Sequence, residues 1–172
     1  MSNLFKKLFI HATVYIRIKK NRLSVRNIST GELYEDVPFV AIMNEDNGKY
    51  VLSYGTKAKN EPQQSGNRID IINPFDHPRT IIANFDIARY AFRFFLKHIL
   101  HNKLLRPRLI MIIHVTEELE GGLTQLEIRA IQELAISEGG QAVHIWNGRE
   151  LMDNEIKENK YPGDHWLTSP PR

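Results

Sequence analysis

The chain has 172 residues, no cysteine, 42% hydrophobic and 25% charged residues, and a formal net charge of +3. That length can bury a core without staples, in one domain or two small ones. The missing cysteines exclude a disulfide scaffold, thiolate zinc sites, iron–sulfur clusters and a cysteine nucleophile.

No apolar stretch approaches the roughly 18 residues of a membrane-spanning helix. Met1 to Ile10 has too short an apolar run for a signal peptide and no small-residue cleavage site. Charge is unevenly placed. Met1 to Thr30 holds no Asp or Glu but carries Lys6, Lys7, Arg17, Lys19, Lys20, Arg22 and Arg26, so this segment is +7 and the remainder −4. A basic end on a near-neutral body points to an anionic partner: headgroups, nucleic acid or an acidic protein face. The competing account is a solvated basic hairpin.

Residues Asn3 to Phe9 read N-L-F-K-K-L-F. As a helix they place Leu4, Phe5, Leu8 and Phe9 on one face and Lys6 and Lys7 at its cationic edge, a pattern that suits a membrane interface. The alternative is a segment packed on its own domain. Thr13 to Ile18 and Leu23 to Ile28 are β-branched runs around Lys19-Lys20-Asn21-Arg22, which predicts a hairpin. Gly31 marks a turn. A third strand is expected over Val37 to Met43, starting at an edge because of Pro38. Glu45 to Gly48 is a turn and Lys49 to Tyr54 a fourth strand. Gly55 to Asn73 reads as a short helix or turn around Lys57 to Asn60, then loop. Asn73 to Pro78 is loop, and Thr80 to Ala83 a short extended stretch.

The second half changes period. Asn84 is placed to cap a helix with Asp86 in its first turn. Ile87, Tyr90, Ala91, Phe94, Phe95 and His98 then recur at helical spacing, with Phe92, Leu96 and Ile99 widening the apolar face. Leu109 to Val115 is almost continuously apolar, as a strand covered on both faces must be. Glu117 to Gly122 is an acidic loop. Thr124-Gln125-Leu126-Glu127 is a capping box, opening a helix to about Ser137 with Leu126, Ala130, Ile131, Leu134 and Ala135 inward. Gly139-Gly140 stops it. Ala142 to Trp146 is one more buried strand, Arg149 to Glu158 a last polar helix, and Tyr161 to Arg172 a proline-bearing, loosely held tail. The fold expected is α/β: a mixed sheet, antiparallel meander then βαβ winding, with flanking helices. The division expected is an amphipathic segment over 1–12, one domain over 13–160 and a flexible tail over 161–172.

This order resembles the first subdomain of actin-like ATPases, a ribonuclease-H-like arrangement, and four stretches make the resemblance specific to the MreB family of bacterial actins. Pro38-Phe39-Val40-Ala41-Ile42 resembles that family's P-S-V-V-A-I strand. Gly55-Thr56-Lys57-Ala58-Lys59 resembles its G-x-x-A-K turn. Ile81-Ile82-Ala83-Asn84-Phe85 resembles V-I-A-D-F. Arg106-Pro107-Arg108, the apolar strand, and then Gly122 to Ile131 resemble R-P-R, strand, G-x-T-x-x-E-R-R-A-I. The Leu4 to Phe9 leader is also similar to the membrane-binding leader of some members.

The departures bear on activity. Where the family has D-L-G-T in its first hairpin, with backbone N–H groups for phosphate, this chain has Arg17-Ile18-Lys19-Lys20. A magnesium ion loses its anionic partner there. Asn84 stands at an Asp position, and Asn147-Gly148-Arg149 replaces E-E-P. Glu127 matches the family's water-positioning glutamate, yet the capping box alone explains it. The resemblance therefore implies a subdomain that kept its fold and lost its ATPase, with Glu127 vestigial.

No G-x-S-x-G elbow and no P-loop is present. His98 and His101 are three apart on one helix but lack a third ligand at diagnostic spacing, so neither metal nor cofactor is expected. His114 and His144 read as core histidines. Arg17, Lys19, Lys20 and Arg22 are the anion-binding candidates, and nucleic acid is not the expected partner because no aromatic ladder accompanies them. The expected role is non-enzymatic, in a cytoplasmic cell-shape or cytoskeletal setting. The partners are another protein (a full-length actin-like filament protein, or a second copy) and, through Leu4 to Phe9, an anionic inner-membrane surface. The alternatives are an ATP-binding half that needs a partner chain, and an anion or nucleic-acid binding module built on the basic hairpin.

Overall fold

A computed structural model describes residues 11–62, 68–100, 108–117 and 121–171. Strands β1 (His11–Lys19) and β2 (Arg22–Asn27) form the expected antiparallel hairpin, with Lys19 opposite Arg22. Alternation sends Val14, Ile16 and Ile18 to one face, where each is fully buried, and Tyr15 and Arg17 to the other. Strand β3 (Leu33–Asp36) follows the Gly31 turn and pairs antiparallel with β2. Sequence patterning misses it, because only Tyr34 of its four residues packs against the main core.

The meander then leaves this sheet. Strands β4 (Val40–Glu45), β5 (Gly48–Tyr54) and β6 (Ile69–Ile72) make a separate three-stranded sheet in the order β5-β4-β6. The third strand therefore starts at Val40, beyond Pro38. Strand β6 lies in the stretch expected to be loop. Its Ile69 and Ile71 share a face with Met43 and Ala41, and these pack on Ala58 of helix α1 (Gly55–Lys59). Residues 80–83 are not a strand; Ala83 N donates to Pro74 O at 2.7 Å and holds them as an irregular link.

Helix α2 (Phe85–Ile99) is capped as expected, Asn84 Oδ1 accepting from Ile87 N at 3.1 Å. Strand β7 (Arg108–Val115) is parallel to both β1 and β8 (Gly140–Trp146), giving the mixed five-stranded order β3-β2-β1-β7-β8. Helix α3 (Gln125–Ser137) and α2 cover one face of this sheet. Phe92 and Phe95 of α2 and Ile128, Ile131 and Leu134 of α3 meet Ile16, Met111 and Ile113 there. Leu126 is not inward: it is 83% exposed, and Ile128 fills the core in its place. The opposite face buries Tyr15, Ile112 and Trp146 under Leu151 and under Ile156 of a short helix α4 (Asp153–Lys157), with Tyr161 and Trp166 packed alongside. The helix expected over Arg149 to Glu158 shrinks to these five residues because Glu150 and Leu151 are held against the sheet.

Candidate functional site

Strands β1 and β7 end side by side, and the β1–β2 turn sits at that edge, where Thr116 N donates to Ile18 O at 2.9 Å. The four anion-binding candidates all belong to this corner. Arg17 projects on the face away from α2 and α3. Its guanidinium is fully engaged: Nε donates to Ser24 Oγ at 3.1 Å, one terminal nitrogen to Glu150 at 2.5 Å, and the other lies 3.4 Å from Glu35. Arg22 donates to the same Glu35. That bond is the main reason the Glu35 carboxyl is held below the ordinary carboxylate range, against the opposing effect of partial burial. Lys20 Nζ meets Asp76 at 2.7 Å, while its backbone N donates to Glu117 at 2.9 Å. Lys19 forms no ion pair among the described residues.

Arg17, Lys19, Arg22, Ser24, Glu35, Thr116 and Glu150 line an open cleft of about 330 Å³. Its two arginines are neutralised by carboxylates of the same chain, and Lys19 is the lining cation left without an ion pair among the described residues. An incoming anion has to displace Glu35 or Glu150 before it meets Arg17. The sequence offers no local signal for these partners. Glu150 is 133 residues from Arg17 and Glu117 is 97 from Lys20, so only the −4 balance of the remaining chain hinted at them.

The network continues under α4. Arg26 lies over the Tyr15 ring at 5.2 Å, donates to Leu151 O at 2.8 Å and meets Asp153 at 2.9 Å. Beneath it Tyr15 and His114 form a buried pair, the Tyr15 hydroxyl 2.7 Å from His114 Nδ1. The His114 ring is also hydrogen-bonded to the Gly148 backbone, so it donates there and Nδ1 accepts from Tyr15. Leu151 N completes the chain by donating to Tyr15 Oη at 3.2 Å. Burial pushes the Tyr15 hydroxyl up to about 12 and the His114 imidazole down to about 4. Both groups are neutral near pH 7 and act as a clamp.

Glu127 opens α3, and its capping box is complete. Oε2 accepts from Thr124 N at 2.9 Å and Thr124 Oγ1 at 2.8 Å, and Thr124 Oγ1 accepts from Glu127 N at 3.2 Å. The second oxygen is used as well: Oε1 accepts from Ile81 N at 3.2 Å, tying α3 to the link before α2. Partial burial raises this carboxyl, but the bonds from Thr124, Ile81 and the Thr80 side chain together outweigh it and hold it below the ordinary range.

The membrane candidates Leu4, Phe5, Lys6, Lys7, Leu8 and Phe9 lie outside the described residues, as does His101 of the histidine pair. His98 stacks on Tyr34 at 3.9 Å and its Nδ1 is 2.9 Å from Phe94 O. Among the described residues no three His, Asp or Glu side chains gather to hold a metal ion, and no helix is long and apolar enough to cross a membrane.

The sequence profile of the family described as MreB/Mbl protein matches residues 21–152. The match begins just after Arg17 to Lys20. No curated protein matches the chain. Among solved structures, MreB 5 of Spiroplasma citri bound to AMPPNP is similar at 18% identity and a TM-score of 0.60, over 80% of this chain and 38% of that one. A non-polymerising MamK mutant bound to AMPPNP is similar at 14% identity and a TM-score of 0.60, over 80% of this chain and 41% of that one. A MamK double helical filament matches at 11% identity and a TM-score of 0.55, over 78% of this chain and 40% of that one. The chain thus spans about two fifths of the length of these structures, and the likeness is one of fold.

Proposed function

This chain belongs to the MreB/Mbl family, and from that premise we propose a non-enzymatic role in a cell-shape or cytoskeletal setting, exerted through contact with other proteins. The observation that carries the proposal is the occupied state of the two positions where the resemblance places ATPase chemistry. Arg17, at the position of the family's metal-organising Asp, is tied to Glu150, Glu35 and Ser24. Both oxygens of Glu127 accept from backbone or hydroxyl donors of the same chain. A water molecule reaches that carboxylate only at the acceptor position left on Oε1, and a phosphate meets Glu35 and Glu150 before it meets Arg17. Relatives solved with AMPPNP are more than twice as long as the part matched here. The filament formed by MamK supports a filament protein, or a second copy, as the partner.

The N-terminal segment adds an anionic inner-membrane surface to the proposal: Leu4, Phe5, Leu8 and Phe9 enter between headgroups while Lys6 and Lys7 pair with lipid phosphate. Calorimetry with ATP, with and without magnesium, is expected to give no binding heat in the intact chain or in Glu127→Ala. Saturable heat that Glu127→Ala abolishes would establish the competing account, a nucleotide-binding half that needs a second chain. Vesicles containing anionic lipid are expected to pellet the intact chain and to leave Phe5→Glu/Phe9→Glu in solution; equal pelleting removes the membrane contact.

A further inference from the structure

Strand β8 is an edge of the large sheet, yet half of its outer side is not bare. The segment His165–Ser169 runs antiparallel along it. Asn147 N donates to His165 O at 2.9 Å and Leu167 N donates to Ile145 O at 2.9 Å. These two bonds flank a bridge between Trp146 and Trp166, the non-hydrogen-bonded site of an antiparallel pair, where facing side chains come closest. The two indoles accordingly meet edge to face at 5.0 Å. Trp166 enters the cluster on one face of the sheet, and Leu167 packs against the main core on the other. The ladder then stops: Ile145 N is taken by Thr168 Oγ1 at 2.9 Å instead of a backbone carbonyl, and His144 Nδ1 donates to Ser169 O at 2.6 Å.

We propose that the outer edge of β8 is a strand-addition site for an aromatic–aliphatic–Thr segment, filled in cis by Trp166-Leu167-Thr168 and open to the same segment of a second copy. The recognition elements are backbone bonds to Ile145 and Asn147, an indole facing Trp146, and a hydroxyl for Ile145 N. The occupant is argued from the seat itself, because the segment already bound there is what a second copy also carries. Its tether is irregular: Asn159, at φ 52°, is the one non-glycine residue with left-handed backbone among the described residues, and Pro162 and Gly163 at φ 88° follow. Backbone bonds across the tether are local, Lys160 N to Glu155 O and Gly163 N to Tyr161 O. The segment is held chiefly by Trp166 and Leu167 in the two cores and not by the tether's own bonds, and exchange of an identical element between copies is the low-cost route to a dimer. The site stands apart from the cytoskeletal role above, and the nucleotide and vesicle assays do not read it.

The test uses a fluorescently labelled peptide, Asp164 to Pro171, standing for the segment of a second copy. A chain ending at Gly163 is expected to bind it saturably, the intact chain at least about tenfold more weakly because its own segment competes, and a Trp166→Ala peptide weaker by about tenfold or more. If the shortened chain does not fold, Leu167→Pro in the full chain replaces it, since it deletes the N–H that meets Ile145 O. That variant is expected to bind the peptide and to show faster amide exchange at Ile145 and Asn147. A folded shortened chain or Leu167→Pro chain that fails to bind overturns the proposal, as does equal binding by the intact chain.

Discussion

Burial of the His114 imidazole beside Tyr15 makes the chain sensitive to mild acid. The imidazole is 5% exposed, and burial is the largest of the effects that bring it down to about 4; the Gly148 carbonyl and the Glu150 carboxylate oppose that shift and Arg17 adds to it. In the unfolded chain a histidine takes its proton near 6.5. Between these values the unfolded state binds the extra proton, so stability falls as pH drops from about 6.5 toward 4 and levels off below. Integrated over pH 7 to 5, the loss is about 2 kcal/mol. Urea unfolding at the two pH values is expected to show it, and His114→Gln is expected to flatten the difference. A wild-type midpoint that does not move over this interval would mean the imidazole is hydrated in the folded chain. Protonation also turns Nδ1 into a donor facing a hydroxyl donor, so acid loosens the clamp on Gly148 to Leu151 first.

At the scale of elements, Gly55 joins the two sheets. Its N donates to Phe39 O at 2.8 Å, it sits at φ 64°, and a Cβ there would run into the Asp36 carboxylate at the end of β3. That carboxylate is committed, accepting from Thr56 N at 2.9 Å and from Val37 N at 2.7 Å, so it has little freedom to withdraw. Gly55→Ala therefore combines a left-handed backbone, about 1 kcal/mol, with a collision, and is expected to cost at least about 2 kcal/mol in urea unfolding. Gly31→Ala, at φ 75° with nothing within 4 Å of its Cβ, isolates the backbone part at about 1 kcal/mol. Equal losses would show that Asp36 moves aside freely.

Elements with their own local cause were legible in the sequence. The Asn84 cap, the Thr124 box and the unbroken apolar run of β7 each state their structure within a few residues. Strands β3 and β6 were not, because four-residue strands earn their place from partners elsewhere: Tyr34 from Phe94 and Phe95 of α2, Ile69 from Met43. Leu126 was misplaced for a related reason. Helical spacing admits both Leu126 and Ile128 as core residues, and only the sheet beneath decides between them. The hairpin's cations were legible as charges, but their neutralisation was not, because carboxylates of three other segments supply it, Glu35, Asp76, and Glu150 with Asp153.

For the molecule as a whole, that neutralisation decides how its basic end behaves. Seven cations in Met1 to Thr30 suggest a strongly anion-seeking surface. In the folded chain Arg17 and Arg22 answer to Glu35 and Glu150, Lys20 to Asp76, and Arg26 to Asp153. An exposed pair of this kind contributes little to stability, but it removes the field that draws a polyanion. The intact chain is therefore expected to elute from a heparin column at low salt. Glu35→Gln/Glu150→Gln frees Arg17 and Arg22 and is expected to elute later, with an affinity falling more steeply against the logarithm of salt concentration by about one to two charges. Lys6, Lys7 and Lys19 are common to both proteins, so the difference reads the paired arginines alone. Circular dichroism at the same salt separates this from unfolding, which would also expose cations. If the two folded proteins elute together, the cleft carboxylates do not screen the arginines, and the hairpin returns as an anion-binding surface in its own right.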